Sequence, residues 1–236
     1  MTQNAERAGS PVSTGPPRSA RPLKKRRTRW QRRVWMTLLV VAVTAFLAYE
    51  LPPYLALDPS RAVIVLNEGF PLHYPLLIVH IATGTVAMVT ACLQVWPWLR
   101  QRRPRIHRIS GRLYVFAGVL PSALLSLAIM LLMPGWGGQV GITMHALLWM
   151  TTTVVGLRMA RQRRYAEHRR WMLYSFALTM GILWGLSGRI VLPIIWPAID
   201  VNYIFEVARW GGWVLNLIIV QWWLDRTSPS RPRQAA

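Results

Sequence analysis

The sequence predicts an all-α fold: an integral membrane helical bundle of about six transmembrane helices, with a four-helix core made of two repeated helix hairpins. Three observations predict it. Apolar residues make up 53% of the 236-residue chain, yet its formal net charge is +20 and its mean hydropathy is +0.27. So much charge and so much apolar side chain coexist only when they are segregated along the chain. They are: six apolar runs alternate with short polar segments, and one basic phrase is written twice. "RQRRPRIHR", Arg100 to Arg108, and "RQRRYAEHR", Arg161 to Arg169, share Arg-Gln-Arg-Arg, three residues, then His-Arg.

The runs are Val34 to Leu51, Leu76 to Leu99, Leu113 to Met133, Val140 to Leu157, Trp171 to Leu192 and Trp210 to Leu224. A helix rising about 1.5 Å per residue needs about 20 residues to cross about 30 Å of hydrocarbon, and the first and last runs fall short of that. Ahead of the first run, residues 1–33 are rich in Ser, Pro and Gly before a basic cluster, which predicts a disordered basic cytoplasmic tail. Residues 34–224 are then the transmembrane domain and 225–236 a short cytoplasmic tail.

Orientation follows from the basic residues between the runs. Residues 1–33 hold ten Lys/Arg, each repeated phrase with its flanks holds six, and the tail after residue 224 holds three. Twenty-five of the 28 therefore fall on one side, leaving Arg61, Arg189 and Arg209. The positive-inside rule makes that side cytoplasmic, so the expectation is a multi-pass protein of the inner (plasma) membrane with both termini in the cytoplasm. Many of the 13 Trp residues stand near run ends, as interfacial anchors do. The lipid bilayer is the expected partner, with anionic lipid at the cytoplasmic face.

Composition excludes several classes. The Arg clusters are short and separated by membrane-length apolar runs, so a nucleic-acid partner is not expected. A lone Cys92 rules out an intramolecular disulfide and a Cys-x-x-Cys-His haem attachment. No Walker loop, Gly-x-Ser-x-Gly elbow, His-Glu-x-x-His helix or Rossmann fingerprint is present. No small-residue cleavage motif follows the first run, against a secretory signal.

Each basic phrase joins a run entering from outside to one that leaves again, so runs two and three form one hairpin and runs four and five another of the same orientation. A parallel repeat is normally related by an axis along the membrane normal. In a four-helix arrangement this puts run two diagonally across from run four, and run three across from run five. His80 and His145 each lie about five residues into runs two and four, at one outer level; His107 and His168, equivalent residues of the repeat, mark a second level at the basic end. Facing imidazoles on diagonal helices are what a six-coordinate haem iron needs, so the candidate ligands of haem b are His80 with His145 and His107 with His168. Arg108, Arg112, Arg169 and Arg170 at the inner level and Arg189 at the outer one are candidates to pair with propionates. Gly84, one turn after His80, removes bulk where a ring might approach. His73, in the loop before run two, reads as a surface residue, and Gly181, Gly185 and Gly188 read as close helix packing.

The stretches "LLIVHIATGTVAMVTACLQVWPWLR", "HRISGRLYVFAG", "EHRRWMLYSFALT" and "WVLNLIIVQWW" carry a likeness. Over most of residues 70 to 225 the chain resembles a bacterial family of predicted membrane proteins, domain of unknown function 2306. The family positions by that likeness are His80, Gly84, His107, Arg108, Gly111, Arg112, Tyr114, His168, Arg169, Trp171, Met172, Ser175 and Asn216; His145 is a departure from the pattern. A more distant similarity is to the cytochrome b561 architecture, which implies His pairs on alternate core helices holding two haems. The functional expectation is a b-type haem protein that moves electrons, with a quinone or another redox partner. Two alternatives stand beside it: a non-catalytic subunit, accessory factor or transporter, and an intramembrane enzyme working through its His/Arg pairs. An ordinary helix-to-helix hydrogen bond would also account for a histidine within a span.

Overall fold

The structure, a computed structural model, describes residues 24–132, 139–185, 194–198 and 201–227. It contains helices and no strand among the described residues. Six helices are long: α1 Lys24–Glu50, α2 His73–Val95, α3 Pro104–Leu132, α4 Gln139–Arg161, α5 Tyr165–Met180 and α6 Val201–Thr227. Four of them, counting α1 from Trp30, are long and apolar enough to cross a membrane: Trp30–Glu50, His73–Val95, Pro104–Leu132 and Gln139–Arg161. The remaining two differ for physical reasons. α5 is interrupted after 16 residues at Gly181, and α6 gathers Asn216, Gln221, Asp225 and Arg226 in its second half.

By its contacts the chain divides into two compact units, Met1–Trp35 and Met36–Ala236. The first contains the beginning of α1, so the segment expected to be disordered is helical from Lys24; residues 1–23 lie outside the described residues. All that follows concerns the second. There α2 packs on α3 and α5, and α4 packs on α3 and α5, while α2/α4 and α3/α5 are the diagonals. The ring expected from the repeat is therefore present. α6 packs on α5 and α4 from outside it.

The interior of the ring is small and hydroxylic. Ala87, Ala91, Gly118, Ala123 and Ala146 are buried beside Ser122, Thr153, Ser175 and Thr179, whereas Val79, Phe116, Leu124, Leu131 and Ile218 face outward. This inverts the pattern of a water-soluble bundle, because lipid supplies no hydrophobic drive and helices associate through close backbone approach and hydrogen bonds. Close approach is visible at Gly118, where a Cβ would stand 2.8 Å from the Ala87 Cα. It recurs at Gly181, whose added Cβ would meet the Trp213 Cα at 3.0 Å, and at Gly212, which lies against the Gly181 carbonyl. Gly185 has open space around it and Gly188 lies outside the described residues.

The two copies of the basic phrase fold differently. After α2, Trp96 is extended ahead of Pro97, a short helix Pro97–Arg102 follows, and Pro104 begins α3; proline drives the residue before it out of the α region, which explains both breaks. After α4, a three-residue turn with Arg163 in the left-handed region (φ 60°) leads into α5. Both elbows nonetheless start a helix three residues before the histidine, with the N-cap one residue earlier: the His107 N–H donates to the Arg103 carbonyl (3.1 Å) and the His168 N–H to the Arg164 carbonyl (2.9 Å). Within α3 the segment Leu113–Val119 widens to a π-helix, and Tyr114 at its start turns fully into the core.

At the opposite end, residues 51–72 fold over the bundle through a one-turn helix Pro52–Leu55 and a 3-10 turn Pro59–Arg61. Tyr54, Leu77 and Ile129 make a small cluster beneath them. The Ser60 hydroxyl and backbone N–H both donate to Asp58, which holds that carboxyl below its usual range. His73, expected at the surface, is buried, because its Nδ1 accepts from the Asn67 N–H (2.9 Å) and Asn67 in turn donates to the Leu132 carbonyl at the end of α3. The loop thus closes onto the bundle through a histidine that reads, in sequence, as a turn residue.

Candidate functional site

The basic end of the ring begins with Gln94 near the end of α2. Its amide donates to the His107 carbonyl (2.9 Å) and the Ser110 hydroxyl (2.7 Å), which fixes the first turns of α3 against α2. Across the ring, the backbone carbonyl of Gly156 on α4 accepts from His168 Nδ1 at 2.8 Å when that nitrogen carries the proton. Gly156 can lie this near α5 because it has no side chain: an added Cβ would fall 2.7 Å from the Met172 sulfur. His107 and His168 are half-buried and close enough for their charges to interact. His107 Nδ1 is buried with no hydrogen-bond partner among the described residues.

Two of the arginines at this level have partners within the protein. Arg169 lies over the Trp223 ring (5.4 Å) and Arg170 donates from Nε to the Tyr174 hydroxyl (3.2 Å), so both are turned toward α5 and α6. Arg112 lines an external groove with Ile109 and Phe116. Arg108 is exposed beside His107, and Arg100 is near enough for its charge to reach that ring. Arg189 lies outside the described residues.

At the other level His80 and His145 are likewise within reach of each other's charge across the α2/α4 diagonal. His80 Nδ1 meets the Ser122 carbonyl on α3 (2.9 Å). A Cβ at Gly84 would stand 3.4 Å from the Ser122 hydroxyl, an ordinary packing contact. His145 Nε2 meets the Leu178 carbonyl (3.1 Å), and its ring stacks on Trp149 and Trp213 at 5.8 and 6.1 Å. A histidine so enclosed matches the helix-to-helix hydrogen bond weighed as the simpler explanation.

Between the two levels a fully hydrogen-bonded cluster closes the centre. The Tyr114 hydroxyl bonds Ser175 (2.6 Å) and Thr179 (2.8 Å), Thr153 bonds Ser175 (2.6 Å), and the Trp149 indole N–H donates to Thr179 (3.0 Å). Each member satisfies the others, as buried polar groups in a low-dielectric interior must. Sequence reading picked out Tyr114 and Ser175 but missed Thr153, Thr179 and Trp149; the regular appearance of Thr at helical spacing was the available signal. Asn216 on α6 donates to the Ala177 carbonyl and accepts from the Trp184 indole, both at 2.9 Å, clamping α6 to α5. Asn216→Ala should lower stability by about 1 kcal/mol, a typical value for interhelical hydrogen bonds in membranes, read as a lower midpoint in thermal size-exclusion profiles.

Neither a curated protein nor a solved structure matches the chain. The family model described as predicted membrane protein (DUF2306) matches residues 77–224, a span that contains α2 from Leu77 onward, all four paired histidines, the central hydroxyl cluster and Asn216. On that match, over more than half of its length, the chain belongs to the DUF2306 family of predicted membrane proteins.

Proposed function

We propose that this multi-pass membrane protein holds one b-type haem at its basic end, between His107 and His168, and serves in electron transfer. The observation that carries the reading is the diagonal pair itself: two half-buried imidazoles on α3 and α5, each the fourth residue of its helix, with one nitrogen of His168 fixed on the Gly156 carbonyl. Among the described residues no three His, Cys, Asp or Glu side chains converge, so a bare ion would lack a protein coordination set. Porphyrin iron needs only two axial ligands from the chain.

The residues present fit that group on two counts. His168 donates Nδ1–H to the Gly156 carbonyl and keeps Nε2 free, the second-shell arrangement usual for ligating histidines, which fixes tautomer and ring orientation. His107 carries a buried ring nitrogen, Nδ1, that nothing among the described residues satisfies, a cost that a ligand would remove. Helices α3 and α5 extend past the apolar runs read from sequence, so both histidines stand on helical walls and not in loops. When bound, the haem would supply a one-electron redox centre whose potential its axial ligands and surroundings set. The chain's part is to orient the two rings, and Arg100 and Arg108 place positive charge at the same end. The outer pair is left out: His145 Nε2 is committed to Leu178, and Trp149 and Trp213 cover the ring.

The positive-inside rule supports placing the basic end in the cytoplasm of the cell. A reduced cytoplasmic molecule or a membrane quinol would then be the electron partner. Spectra of the protein purified in detergent after expression with ample haem test the reading. It expects haem absorption bands that sharpen on dithionite reduction at about one haem per chain; preparations without such bands overturn it.

A further inference from the structure

On the outer side of the ring, α4, α5 and α6 leave an open groove of ≈ 620 Å³ that the histidine sites do not use. Leu148, Leu178, Leu217 and Ile218 wall it at mid-depth, and Tyr174, Gln221, Trp222 and Asp225 line the end toward the basic side. From Leu217 to Asp225 a helix advances about 12 Å, so the groove runs from the level of the bundle centre to the polar boundary. Its walls are apolar along that length apart from Thr152, whose hydroxyl is spent on the Leu148 and Trp149 carbonyls, and its other polar groups lie at one end, the arrangement of an amphipathic molecule lying along the bilayer normal.

The polar end is built. Arg170 donates to the Tyr174 hydroxyl, Tyr174 donates to Gln221 Oε1, and the Gln221 amide donates to Asp225 Oδ1 (2.7 Å). Arg169 and Arg226 flank this chain, each held over an indole, Trp223 at 5.4 Å and Trp222 at 4.2 Å. Stacking on tryptophan keeps a guanidinium at the boundary while its stem covers apolar surface. Two guanidiniums hold groove-lining side chains, Arg170 on Tyr174 and Arg226 over Trp222, against the single lining carboxylate of Asp225, which leaves the mouth net positive. Basic pockets between transmembrane helices of this kind recognise anionic head groups.

We infer that the α4–α5–α6 groove is a binding site for one anionic phospholipid, with an acyl chain along Leu148, Leu217 and Ile218 and the phosphate at Arg170 and Arg226. The inference does not rest on the haem reading, since neither His107 nor His168 lines the groove. Ile218 is 60% exposed and faces outward, so a larger side chain there fills the groove without entering the core.

Native mass spectrometry of the full chain, titrated with phosphatidylglycerol or phosphatidylcholine of identical acyl chains, tests it. The expected result is one tightly retained phosphatidylglycerol with about a tenfold preference over phosphatidylcholine, equivalent to about 1.4 kcal/mol. The double variant Arg170→Gln/Arg226→Gln should reduce that preference to near unity, and Ile218→Trp should abolish retention of both lipids. Circular dichroism and size-exclusion profiles of the variants confirm that the bundle is intact. Equal binding of the two lipids by the wild-type chain, or undiminished retention in Ile218→Trp, overturns the proposal, as does extraction of a prenyl quinone from the groove in place of phospholipid. Haem content read in the same samples reports separately on His107 and His168.

Discussion

Gly118→Val is expected to cost about 3 kcal/mol, at the upper end of what overpacking a tight interior usually costs. The reason is the identity of the neighbour. A Cβ at residue 118 would stand 2.8 Å from the Ala87 Cα and 3.0 Å from its N, so only a shift of the whole α2 backbone makes room. That shift also moves the α2 segment next to the core formed by Val115, Val119 and Ala123. Gly156 offers the contrast. Its clearance is as small, 2.7 Å, but the obstructing atom is the sulfur of Met172, the far end of an adaptable side chain. Gly156→Ala should therefore be nearly neutral in stability, with the gain of about 1 kcal/mol in helix propensity offsetting the displacement of Met172. Thermal midpoints by fluorescence-detected size exclusion in one detergent compare the two. Equal losses for both would show that clearance alone matters and that the α2–α3 contact is not unusually rigid.

Removing either basic-end imidazole is expected to empty the haem site. His107→Ala and His168→Ala should each reduce bound haem by more than tenfold, because each removes one of the two residues proposed to hold it. His145→Ala should leave haem content within twofold of wild type while lowering stability, since it loses the Leu178 hydrogen bond and two indole contacts. Haem per chain and the thermal midpoint, measured on the same preparations, separate ligation from folding. If His145→Ala lost haem and His107→Ala kept it, the assignment of levels would be inverted.

The architecture was largely legible in the sequence because it is written in periodicity and charge. Segregated apolar runs predicted the long helices, and the repeated phrase predicted a ring with α2/α4 and α3/α5 on its diagonals, which the packing shows. Helix starts were less legible: α2 begins at His73 and α3 at Pro104, each ahead of its apolar run, because helical hydrogen bonding continues through polar residues beyond the hydrocarbon. Two predicted spans also came out weaker. The break at Gly181 answers to the backbone approach of Gly212, a tertiary event with no local mark beyond the glycine itself.

At the site, spacing along the chain assigned each histidine to its helix but did not show what its ring touches. That His145 lies between two indoles depends on Trp213 arriving from α6, 68 residues downstream, and no pattern near residue 145 announces it. The widening of α3 at Leu113–Val119, which turns Tyr114 inward, is equally a property of packing. The contacts of the arginines were hidden for a related reason: Arg169 and Arg170 follow His168 directly, yet adjacent helical residues face different directions, and theirs meet Trp223 and Tyr174.

The central claim is that His107 and His168 oppose one another closely enough to serve as two axial ligands of one iron. Low-temperature electron paramagnetic resonance of the oxidised, purified protein reads this directly. The account predicts a low-spin ferric signal of the bis-imidazole type that is lost in both His107→Ala and His168→Ala; a purely high-spin signal, or no haem iron in protein expressed with ample haem, would contradict it.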